Sequence, residues 1–67
     1  MDSDRAQLSA MASTLDDLTA RITEMAGRYQ GGAREDVAQG LYDTERSLRS
    51  AGRNLAKVMR LMRPARP

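Results

Sequence analysis

Between Leu8 and Tyr29 the apolar residues Leu8, Met11, Leu15, Leu18, Ile22, Met25 and Tyr29 recur at alternating spacings of three and four. That period predicts an α-helix carrying a single apolar stripe, and a stripe of this kind needs a neighbouring helix to cover it. Assigning Leu8 to heptad position a places Leu15, Ile22 and Tyr29 at a, and Met11, Leu18 and Met25 at d. Ala12, Thr19 and Ala26 then stand at e, small enough for a second helix to approach closely. The outer face carries Ser9, Ser13, Asp16, Asp17, Ala20, Thr23 and Glu24. Asp17 with Arg21 and Glu24 with Arg28 form favourably ordered i,i+4 pairs, each worth about 0.2–0.5 kcal/mol on an exposed helix.

The pattern breaks once, at Gly31-Gly32, where glycine can take the left-handed conformation that ends a helix. The first helix is expected over about 4–30, opened by Asp4 and Gln7 as a capping box. A second is expected over about 33–63, with Glu35 and Asp36 complementing its positive N-terminal end. Pro64 stops it, leaving a short Pro/Arg tail over 64–67. Its stripe reads Val37, Leu41, Thr44, Leu48, Ala51, Leu55, Val58 and Met62. This stripe is weaker than the first, and Gly40 and Gly52 each cost about 1 kcal/mol of helix propensity relative to alanine. Gly52 beside Ala51 fits either a close helix contact or a local hinge.

A turn this short makes the helices antiparallel neighbours. Reflection about Gly31-Gly32 sets Met25 near Val37 and Ala38, Ile22 near Leu41, Leu15 near Leu48, Met11 near Ala51, and Leu8 near Leu55. Helix two then overhangs the start of helix one, leaving Val58, Met59, Leu61 and Met62 uncovered. The fold class is therefore all-α: residues 1–67 form one antiparallel two-helix hairpin, expected to pair into a four-helix bundle. Leu8, Met11, Leu15, Leu18, Ile22, Met25, Leu41, Leu48, Leu55, Val58, Met59 and Met62 are the expected oligomer interface.

Composition strengthens the case for a partner. A chain of 67 residues buries little apolar surface, and small domains commonly need a disulfide, a metal or a second subunit. Cysteine and histidine are absent. That removes disulfides, thiolate nucleophiles, the usual zinc ligands and the usual general base. No phosphate-cradling loop is present, and the adjacent carboxylates Asp16-Asp17 and Glu35-Asp36 point to different sides of a helix. Met11, Met25, Met59 and Met62 read as packing residues rather than soft metal ligands. The expectation is a non-enzyme with no cofactor, no metal and no small-molecule substrate. The acidic start Met1-Asp2-Ser3-Asp4 is unlike a basic secretory leader, and no apolar run approaches the ~20 residues of a membrane span. A cytoplasmic location is expected.

Charge is segregated along the chain. Residues 1–45 hold nine acidic and four basic side chains, whereas residues 46–67 hold seven basic side chains and no acid. Arg46, Arg53 and Arg60 share heptad position f, with Arg49 and Arg63 at b and Lys57 at c. They form one candidate anion-binding or partner-binding stripe, its steps of seven residues spaced about 10.5 Å along the axis. Its arginines suit phosphate or carboxylate recognition, although no aromatic residue is interleaved with them for base stacking.

Tyr29-x-Gly31-x-Ala33-x-x-x-Val37, set in the turn between two helices, resembles the Trp-x-Gly (WXG) helical-hairpin family of small actinobacterial proteins, with tyrosine in place of tryptophan. The resemblance implies a helical-hairpin dimer. Tyr42 is followed four places on by Arg46 rather than an acid, so the family's C-terminal export signal has no counterpart and secretion is not carried over. The chain is expected to be a protein–protein interaction or regulatory module that packs helices with itself as a homodimer or with another helical protein. The alternative is a nucleic-acid-associated regulator using the arginine stripe. A third option places Val58, Met59, Leu61 and Met62 in an anionic membrane surface.

Overall fold

Helix α1 spans Asp2–Tyr29 and helix α2 spans Glu35–Leu61, antiparallel and packed along their length. This is a computed structural model, which describes residues 2–63; the expected tail over 64–67 lies outside them. Among the described residues no helix is long and apolar enough to cross a membrane.

The helix starts differ from the sequence expectation. α1 begins at Asp2, so Asp4 lies inside the first turn and caps nothing; Gln7 donates instead to the Ser3 hydroxyl at 3.3 Å. α2 begins at Glu35, with Arg34 at the cap position and no side chain satisfying its first amides. Charge does this work. Glu35 and Asp36 occupy the positive end of the helix, and the Arg34 guanidinium grips Asp36 through two bonds of 3.0 and 3.1 Å. Gly31 takes φ +79°, and its amide donates to the Glu35 carboxylate. The five-residue connection is thus longer than a Gly-Gly turn. α1 and α2 have 28 and 27 residues.

Near-equal lengths remove the expected overhang. Met59 is half-buried beside Arg5, Ala6 and Ser9, and Met62 is half-buried beside Leu8 and Met11, so only Val58 and Leu61 of the four are exposed. The register also sits further along than simple reflection predicts. A Cβ on Gly52 would stand 3.7 Å from Leu15 Cδ2, whereas reflection pairs Leu15 with Leu48. Gly52 is half-buried within a continuous helix, so it acts as a packing position. Gly40 meets nothing within 4 Å.

The line of contact is made by heptad positions a and e rather than a and d. On α1 it runs through Leu8, Ala12, Leu15, Thr19, Ile22 and Ala26; on α2 it runs through Ala38, Leu41, Glu45, Leu48, Gly52, Leu55, Met59 and Met62. The reason is size. Small residues at e let the helix axes come close, which turns the bulkier d positions out to one side. Ala26 and Ala38 are fully buried, but among the described residues no larger side chain is.

Two backbone predictions follow from this geometry. Gly27 lies inside α1 with open space where a Cβ would be, so Gly27→Ala should raise unfolding free energy by about 0.5–1 kcal/mol. Gly31→Ala should lower it by about 1–2 kcal/mol, because an L-residue pays for the left-handed conformation. Urea titrations followed by circular dichroism check both signs.

Candidate functional site

Two antiparallel helices with the same heptad order, facing each other through a and e, present both sets of d positions on one side and both sets of b and f positions on the other. The hairpin therefore has two unlike long faces.

The first face is apolar. Met11 is 53% exposed, Leu18 44% and Met25 39% on α1, and Val58 is 41% exposed on α2. Ala51 and Thr44 continue the α2 row, both exposed, and Val37 ends it, half-buried, beyond the level of Tyr29. These d residues do not cover the intramolecular seam as the sequence stripe suggested. Of the twelve expected interface residues, Leu8, Leu15, Ile22, Leu41, Leu48, Leu55, Met59 and Met62 lie half-buried between the helices of one hairpin, and Met11, Leu18, Met25 and Val58 face outwards.

The second face is a shallow groove of about 700 Å3 floored by small side chains. Ala12, Thr19 and Ala20 line it from α1 and Gly52 and Ala56 from α2, with Asp16, Arg49 and Arg53 at its rim. The arginine stripe runs along this side. It is not uniform: Arg46 pairs with Asp43, and Arg49 reaches Glu45 at 3.1 Å. Arg53 bonds only to the Ser50 hydroxyl, at 3.0 Å. Among the described residues, Arg53, Lys57, Arg60 and Arg63 make no ion pair. The free positive charge is thus concentrated at the α2 end of the hairpin.

One polar cluster, belonging to neither apolar stripe, ties the helices together. Glu45 occupies a seam position, where Thr23 of α1 donates to its carboxylate at 2.5 Å and Arg49 holds it from the next turn. The Thr23 hydroxyl also lies 3.0 Å from the Thr19 carbonyl, so one proton serves two acceptors. Nearby, the Tyr42 hydroxyl donates to Gln30 at 3.0 Å, closing the loop end of the hairpin. A glutamate at e amid leucines is the sequence signal that could have revealed this. Of the expected i,i+4 pairs on α1, Glu24 and Arg28 stand 3.8 Å apart, while Asp17 and Arg21 are absent from the ion pairs of the described residues.

The Thr23 hydroxyl and then the Arg49 guanidinium hold the Glu45 carboxyl below the usual glutamate range. Arg34 does the same for Asp36. Among the described residues no group of three or more acidic side chains gathers as a metal site would require. Compared with known proteins, the chain matches no family model, no curated protein sequence and no solved structure.

The lowered Glu45 and Asp36 values fix the sign of an acid dependence. A carboxyl whose folded value is depressed contributes stability that is complete above its unfolded value, about 4.3 for glutamate, and lost as pH falls through the folded value. Thermal melts should therefore be flat from pH 7 to 5 and drop below about 4. Glu45→Gln should reduce that drop, and Thr23→Val should move the Glu45 carboxyl back towards its ordinary value in an NMR titration.

Proposed function

We propose that this chain is a non-catalytic protein–protein interaction module that works by packing helices, with Met11, Leu18, Met25 and Val58 as the centre of its contact face. The observation that carries this reading is the row of d residues left in solvent by a hairpin that fully buries nothing larger than alanine. Apolar side chains in a continuous row along a small protein mark a contact surface. The radius of gyration supports it: 15.9 Å, against about 11 Å for a compact chain of this length. A hairpin of this shape supplies half of a four-helix bundle, and the missing half comes from another pair of helices.

A second reading rests on the unpaired cations. Arg53, Lys57 and Arg60 stand on the side away from the apolar face, so a phosphate backbone could be held there without competing with helix packing. Salt-sensitive binding of duplex DNA, with a log–log slope of about −0.9 per phosphate contacted, would support it.

The test of the main reading is sedimentation equilibrium across protein concentration with helicity followed on the same samples. A helical oligomer, or a poorly helical monomer, is expected; a fully helical monomer of concentration-independent stability would sink the reading, because its face would then need no cover. Two substitutions separate the faces. Leu48→Asp should lower helicity at every concentration, by about 3 kcal/mol of stability, since it puts a charge between the two helices. Leu18→Asp should leave the chain at the helicity of dilute wild type, however concentrated it is.

A further inference from the structure

We infer that the occupant of the apolar face is a second copy of this chain, related by a two-fold axis parallel to the helices, so that α1 of each protomer packs on α2 of the other. The inference rests on the reading of that face as a contact surface and adds the identity and orientation of what covers it.

The d rows of the two helices are unequal in size. α1 contributes Met11, Leu18 and Met25, all large; α2 contributes Val58, Ala51 and Thr44, all smaller. Leu15 Cδ2, which would lie 3.7 Å from a Cβ on Gly52, and the hydrogen bond of Thr23 to Glu45 fix the relative height of the helices. From it, Met11 and Val58 stand within about two residues of one level, and so do Leu18 with Ala51 and Met25 with Thr44, about 3 Å in each case. Both rows step by seven, so all three levels match at once.

A two-fold axis parallel to the helices keeps every level and exchanges left for right. It sets Met11 against Val58 of the partner subunit, Leu18 against the partner's Ala51 and Met25 against the partner's Thr44. Each layer then joins a large side chain to a small one, which is how facing positions fill space at a uniform helix separation. The other possible axis, running across the helices, stacks α1 on α1 and α2 on α2. That places methionine and leucine against their own kind on one side, while alanine and threonine leave a gap on the other.

The rim agrees with the first arrangement. Position g of α1 holds Arg21 and Arg28, and position g of α2 holds Ser47 and Gly40 at the matching levels. Each arginine thus meets an uncharged small residue across the interface, and Gly40, which has nothing within 4 Å of a would-be Cβ in the hairpin, leaves room for Arg28 of the partner subunit. The area is also adequate. A face of 28 residues at about 1.5 Å rise and 15 Å width offers on the order of 600 Å2 per protomer, near the lower bound of stable specific interfaces.

Because the chain has no cysteine, two single-cysteine chains, Leu18→Cys and Ala51→Cys, report the pairing when mixed and mildly oxidised. Separate chains are required, since the two positions share one face of each hairpin. The expected product is the mixed disulfide, in excess of either symmetric one. Unmodified chain should sediment at twice its 7.4 kDa mass, and Leu18→Asp should raise the dissociation constant by roughly thirtyfold or more. A predominance of Leu18-to-Leu18 disulfides would overturn the inferred axis in favour of the crossed one. A poorly helical monomer would overturn the second copy while leaving the contact-face reading intact, and a dimer indifferent to Leu18→Asp would overturn both.

Discussion

Two helices lying side by side share a single line of contact, and no arrangement of side chains along that line can surround a residue of any size. In this chain the consequence is visible residue by residue: Ala26 and Ala38, on the seam near the loop, are fully buried, while every leucine, isoleucine and methionine among the described residues keeps a flank in solvent. Burying an aliphatic side chain completely is worth about 1.5–3 kcal/mol, and these side chains realise only part of it. The shape of the hairpin and the exposure of its apolar row both descend from that limit.

Polar interactions respond to the same constraint. Glu45 can sit on the seam because the seam is open enough for Arg49 to reach it from the rim and for Thr23 to donate from across. In an enclosed core a carboxylate there would be costly; here it links the two helices. Rotation is what separates the two faces. With a and e turned inwards, the d rows look out on one side and the arginines on the other, so an apolar contact and an anionic one could be made at once.

The helix termini show how charge replaces capping geometry. α2 has no hydroxyl or amide cap, and its first turn relies on Glu35 and Asp36, the latter clamped by Arg34. Glu35 in turn receives the amide of Gly31, whose left-handed backbone reverses the chain. The loop is therefore built from the acidic pair as much as from the glycines.

The heptad spacing and the single Gly-Gly break were enough to establish two helices, their antiparallel order and the residues able to lie in an apolar contact, because period and backbone permissiveness are local properties of a sequence. Which of those residues face inwards was not local. Leu8, Leu15 and Ile22 at a were placed correctly, but Met11, Leu18 and Met25 at d belong to the outer row, since the choice between d and e depends on how closely the two axes approach. That distance is set by Ala12, Ala26, Ala38 and Gly52 acting together across the hairpin. The same holds for Glu45, whose role appears only when Thr23 is brought opposite, and for Met59 and Met62, which the shifted register brings beside Arg5, Ser9, Leu8 and Met11. Periodicity told which surfaces are apolar; only packing between the helices decided which one is covered within the hairpin and which stays in solvent.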